Sequence, residues 1–177
     1  MRQSGFAKHG STLKRSSSLN PTPQFLVRLV CQGRLDNYEK KAETLHSKVK
    51  EVLQCDTMKR NPFDPVLLQP AECLLTCLCL EAPCEHIKSF CNILKNFKYL
   101  INPRGHVLIL SVQDATFYYV GDRYFSSMTT RKEELEEAFR EAGYEIEKAV
   151  YAPCNEKSKP YVCDYKGYYY IHARKPK

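Results

Sequence analysis

The sequence predicts an α/β protein, built as a mostly parallel sheet with helices on its faces and an antiparallel last strand. Two nearly continuous apolar runs of strand length, Glu72–Leu80 and His106–Val112, carry that prediction, because parallel strands covered on both faces read this way. Helical stripes alternate with them along the chain. Two closing segments, EIEKAVY and GYYYIHAR, then read as strands that pair antiparallel across a long connection. The chain is 177 residues long, enough for one domain with a sizeable core.

Residues 1–24, MRQSGFAKHGSTLKRSSSLNPTPQ, have no sustained period and read as a disordered, basic, Ser-rich tail. The net charge of +7 is unevenly placed: residues 1–35 hold six cations and no acid before Asp36. Six scattered charges do not make a nucleic-acid site. No apolar run approaches the roughly 18 residues of a membrane span. Neither nucleic acid nor membrane is therefore an expected partner. No apolar segment of secretory type follows the N-terminal charges, and nine cysteines at irregular spacing suit reduced thiols, so the expected location is cytoplasmic.

The ordered part is expected from Phe25 to Lys177. Phe25–Cys31 is a short apolar run, a strand or the end of a larger element. Tyr38, Ala42, Leu45, Val49 and Val52 recur at helical spacing and predict a helix from about Asn37 to Leu53. A short strand is expected at Val52–Asp56, before the breaker-rich NPFDPVLLQP. After the Glu72–Leu80 strand, Ile87, Phe90, Cys91, Leu94 and Phe97 form the stripe of a second helix. Pro103 ends that region, and Gly105 is the expected residue at positive φ. A capping box, Thr130 with Glu133, opens a third helix whose inward residues are Leu135, Ala138, Phe139 and Ala142, and Gly143 closes it.

Five of the nine cysteines lie between Cys73 and Cys91. Their intervening spacings do not match the paired knuckles of zinc sites, and they sit in an apolar run. They read as small buried hydrophobes, with a metal site or a catalytic thiol as the alternatives. His86, His106 and His172 read as structural, and no residue is assigned a catalytic or metal-binding role.

The segments CDTMKRNPFDPV, AECLLTCLCLEAPC, KNFKYLINPRGHVLIL, FYYVGDRYFSSM and EELEEAFREAGYEIE occur in this order. Together with the ARKPK ending they resemble the nicotinamide, phenylethanolamine and indolethylamine (thioether) N-methyltransferases, over about Phe25 to Lys177. The resemblance implies a Rossmann-like methyltransferase sheet, S-adenosyl-L-methionine as cofactor, and a small amine or pyridine as acceptor. It places Asp56 and Thr57 beside the adenine, Cys77 and Leu78 along the adenosine pocket, and Ser111, Tyr118 and Ser127 at the acceptor. Ser111 stands where the nicotinamide enzymes carry a carboxylate, and Asp114 lies three residues on. Pro103-Arg104-Gly105 replaces a Pro-Gly-Gly turn and is tolerable with Arg104 away from positive φ.

The family's glycine-rich cofactor loop and ribose-holding acid precede the matching segment and have no counterpart here, so residues 25–177 are expected to form a partial methyltransferase domain. That leaves an alternative: a catalytically inactive fragment that binds a protein partner, such as a full-length relative, through an exposed strand edge.

Overall fold

The computed structural model describes residues 38–154 and 162–177. The expected tail and the Phe25–Cys31 run lie outside the described residues. The chain divides into two units, Met1–Val52 and Leu53–Lys177. The described element of the first is helix α1, Tyr38–Lys48. It ends about one turn before the expected boundary, and Leu45 and Val49 of its apolar stripe are exposed.

The second unit contains β1 (Ala71–Cys77), α2 (Ile87–Phe97) with a 3₁₀ turn at Lys98–Leu100, and β2 (Ile101–Gln113). A hairpin of β3 (Phe117–Val120) and β4 (Arg123–Ser126) follows, then α3 (Lys132–Glu141), β5 (Glu145–Pro153) and β6 (Gly167–Arg174). The main sheet has the order β1-β2-β6-β5. β1 pairs parallel with β2, whereas β6 pairs antiparallel with both β2 and β5. Three strands thus run one way and the last runs against them, as the sequence predicts.

The register sorts the side chains into two faces. On one, Thr76, Ile109 and Ile171 line up across β1, β2 and β6, and Leu74, Val107 and Ala173 form the adjacent row. α2 contributes Phe90, Ile93, Leu94 and Phe97 to this face, and α3 contributes Leu135, Ala138 and Phe139. Phe90, Leu94 and Phe139 are fully buried, and each such side chain is worth about 1.5–3 kcal/mol. Tyr144 closes the end of α3, its hydroxyl donating to the Leu94 carbonyl at 3.0 Å.

The opposite face carries Cys73, Leu75 and Cys77 beside His106, Leu108 and Leu110. Here the expectation of burial on both faces is corrected: Leu75 is 71% exposed, and Cys73, Cys77 and Cys79 are exposed. Both described helices of this unit pack on the other face, so the expected helical cover is met on one side among the described residues. Among the described residues β1 is also an edge of the sheet.

Further differences have local causes. Val52–Asp56 is not a strand; the Asp56 N–H donates to the Pro62 carbonyl at 2.8 Å, and the chain turns instead of pairing with a neighbour. At the start of β2, Arg104 takes positive φ (67°), while Gly105 does not. Gly105 answers a different need, close approach, since a Cβ there would lie 2.9 Å from the Asn102 carbonyl oxygen and 3.0 Å from that of Glu72. The α3 cap is shifted by one residue: the Arg131 N–H donates to Glu134 Oε2 at 3.0 Å, and Thr130 instead donates to the Val112 carbonyl. Gly143 closes the helix at φ 79°, as expected.

Candidate functional site

β1 and β2 end side by side, and the turns that leave them open a cavity of about 410 Å³. That is where open α/β sheets place ligands. Leu78 at the end of β1 forms one wall; its positive φ (52°) turns the chain away while its N–H still donates to the Leu110 carbonyl at 2.8 Å. Tyr118 of β3 and Ser127 just beyond β4 form a second wall, and Val162, Cys163 and Tyr165 a third. The hairpin turns through Gly121 at φ 63°, which brings Tyr118 opposite Phe125 with their rings stacked 5.2 Å apart.

The lining is apolar apart from a few groups, and one of them is charged. Glu81 faces the cavity and is only 5% exposed. Burial pushes its carboxyl above the usual carboxylate range, an effect partly offset by backbone N–H groups at Glu81 and Leu80 and by the nearby Ser111 hydroxyl. Ser111 Oγ is buried without an acceptor or donor in full hydrogen-bond geometry, as is Gln113 Oε1, both at the carboxyl end of β2. The site thus combines an apolar enclosure, a buried acid with raised proton affinity and unsatisfied polar atoms close by.

The seven residues singled out from the sequence do not all meet at the cavity. Leu78, Tyr118 and Ser127 line the cavity. Ser111 lies behind it, fully buried on the helix-covered face. Cys77 points to the open face, level with Leu110. Asp56 and Thr57 lie outside the lining, in a turn where the Asp56 carboxylate accepts from the Met58 N–H at 3.1 Å. Asp114 is turned away at φ 55° and pairs with Lys166 at 3.5 Å.

Glu81 is the group that sequence reasoning passed over. It lies just past the end of β1, but its burial depends on walls contributed by the hairpin and by residues 162–168.

A family described as NNMT/PNMT/TEMT matches residues 14–176. Over 140 residues the chain is 36% identical to the indolethylamine N-methyltransferase of Oryctolagus cuniculus, covering 79% of this chain and 53% of that protein. Over 124 residues it is 37% identical to the nicotinamide N-methyltransferase of Homo sapiens, covering 69% and 47% respectively. The chain therefore spans about half the length of these curated relatives. Its fold is shared with a solved S-adenosylmethionine-dependent methyltransferase from Clostridium acetobutylicum, at a TM-score of 0.53 and 10% identity, over 78% of this chain and 70% of that one. With a match that runs through the sheet, both its helices and every wall of the cavity, the chain belongs to the NNMT/PNMT/TEMT family.

Proposed function

We propose that this chain carries the acceptor side of an S-adenosylmethionine-dependent N-methyltransferase acting on a small amine or pyridine, of the indolethylamine or nicotinamide type. The observation that carries this reading is Glu81: a buried carboxyl with raised proton affinity inside an otherwise largely apolar cavity at the strand ends. An aromatic or aliphatic body fits the Leu78, Val112 and Tyr118 walls, and a nitrogen base fits the acid.

The residues toward the cofactor fit it in part. Leu78 borders the cavity and Cys77 lies exposed beside it, which suits an adenosine moiety lying along the end of β1. Asp56 and Thr57 would approach it from outside the cavity. When bound, S-adenosylmethionine supplies a methyl group already activated on a sulfonium. The protein's part is to hold the acceptor nitrogen in line and to keep its lone pair free. Glu81 serves the second need by taking the proton of an incoming ammonium, which its raised affinity favours. Tyr118 and Ser127 orient the acceptor, and the apolar walls exclude water.

The test is methyl transfer from S-adenosylmethionine to a panel of primary amines and pyridines, read by mass spectrometry. Methylated amine is the expected product. Glu81→Gln should reduce its rate on the order of 10²-fold, with a smaller effect on pyridines, which bring no proton to remove. Absence of product with every acceptor overturns the catalytic reading.

The β1 edge supports a second reading, a fragment that pairs with a full-length relative of the same fold. Among the described residues no strand pairs with the outer side of β1, and that edge with the exposed Cys73, Leu75 and Cys77 suits strand addition. A mixed species in light scattering with such a relative would support it, and separate monodisperse peaks would oppose it.

A further inference from the structure

At the end of the sheet away from the cavity, three adjacent strands bring metal-ligating groups together. His106 opens the regular part of β2, His172 lies near the end of β6, and Glu147 lies near the start of β5. Their ligand atoms all lie within 4.8 Å of one another. His106 Nδ1 is 2.9 Å from His172 Nε2, which in turn is 3.2 Å from Glu147 Oε2.

The register accounts for this convergence. His106 stands opposite Arg174, and His172 is two residues back along β6, on the same face. Glu147 falls in the β5 bulge between Ile146 and Lys148, where the pairing with β6 shifts. The bulge places an extra residue beside His172, which the regular pairing would not do. The cluster lies on the face that the described helices leave open, and its side chains are only half-buried, so an ion can reach it.

We propose that His106, His172 and Glu147 form a binding site for a divalent transition-metal ion, with zinc the best match.

The chemistry of the donor set supports that choice. Two imidazole nitrogens and one carboxylate oxygen are the three-ligand set zinc takes when it keeps its fourth position for water. A nitrogen-rich set of this kind excludes magnesium and calcium, which prefer oxygen ligands. Two imidazole nitrogens at hydrogen-bond distance share a single proton, so at least one ring offers a lone pair. When an ion binds between them, the donor ring carries its proton on its other nitrogen instead, the rings separate slightly, and both facing nitrogens offer lone pairs.

Glu147 is already divided between two tasks. Its Oε1 lies 2.8 Å from Arg174 Nε, which leaves Oε2 for the imidazoles. Such an outer partner fixes the orientation of a ligating carboxylate. The charges facing the site are Arg174 and, opposite His172, Lys148; Glu145 lies opposite Arg174 and offsets part of this positive field.

The experiment is a titration of the full 177-residue chain with Co²⁺ alone, followed by Zn²⁺ competition and thermal unfolding. The chain's free cysteines are the competing ligands. They announce themselves by an intense near-ultraviolet sulfur-to-cobalt charge-transfer band, which nitrogen and oxygen ligands do not produce. The expected result is a visible cobalt spectrum without that band, displaced by Zn²⁺, and a rise in the unfolding midpoint with Zn²⁺. His172→Gln and Glu147→Gln should each weaken Co²⁺ binding at least tenfold and abolish the midpoint rise. Glu147→Gln keeps side-chain volume, so it reports even if the histidine variant fails to fold. A thiolate-dominated spectrum, a response unchanged in both variants, or no binding at millimolar Co²⁺ would each overturn the proposal.

Discussion

Asp164 holds Thr116 twice: one carboxylate oxygen accepts the Thr116 N–H at 2.7 Å, and the other accepts its hydroxyl at 2.6 Å. The pair ties the segment before β6 to the entrance of the β3–β4 hairpin, and so joins two walls of the cavity. Desolvation pushes the Asp164 carboxyl up, but the hydrogen bonds from Thr116 and the Phe117 N–H outweigh it and leave the group below its usual value. A lowered folded-state value gives a contribution present above the ordinary value of 3.8 and lost as pH falls through the lowered one. Asp164→Ala should cost about 1 kcal/mol at neutral pH, discounted for exposure. The difference from wild type should persist at pH 5 and vanish in stronger acid, as checked by urea unfolding across pH.

Glu81 has the opposite sign. Its carboxyl is raised, so its folded form favours the proton; that contribution is full below the ordinary value of 4.5 and is lost as pH rises through the raised one. Glu81→Gln should flatten this pH dependence and give a higher unfolding midpoint than wild type at pH 8. Calorimetry at pH 4 and pH 8 checks it, and a variant less stable than wild type at pH 8 would contradict it.

The turn before His106 contains two neighbouring positions with opposite needs. Arg104→Gly should stabilise by about 0.5–1 kcal/mol, because it relieves a non-glycine residue at φ 67°. Gly105→Ala should destabilise by about 1–3 kcal/mol, since its Cβ would meet backbone on two sides. Equal effects of the two substitutions in denaturant unfolding would contradict the assignment.

The thiols should separate by reactivity. Cys73 is exposed, whereas burial, with Glu81 adding to it, pushes the Cys84 thiol up to about 11. Its Sγ also donates to the Leu80 carbonyl at 3.1 Å. Alkylation at pH 8, mapped by peptide mass spectrometry, should modify Cys73 first, then Cys77, whose thiol burial also raises. Cys84 and Cys91, both buried, should react only after unfolding.

The parts of this fold legible in the sequence are those decided by local pattern. The stripe Leu135, Ala138, Phe139 and Ala142, closed by Gly143, needs only helical spacing and a stop. The β2 and β6 runs needed only strand length. Val52–Asp56 failed because a strand exists through its neighbour, and no described strand lies beside it. Cys73 and Cys77 failed similarly: apolar composition states a preference for burial, while burial itself requires a second layer. The hairpin is legible in FYYVGDRYFS, where aromatic residues flank a Gly-Asp turn. Of the cavity lining, Leu78, Tyr118 and Ser127 are residues that the resemblance singles out. The Glu81 burial and the bulge at Glu147 arise from contacts distant in sequence.

The position of β6 between β2 and β5 sets a limit on how the protein can be made. Both neighbours of β6 are synthesised before it, yet neither can pair with the other across its place. As the chain leaves the ribosome, β1 and β2 can zip together with α2 against them, but β5 must wait unpaired until Tyr168–Arg174 emerges. The sheet closes only once β6 has emerged, and loss of Gly167–Arg174 would leave two halves with no seam between them.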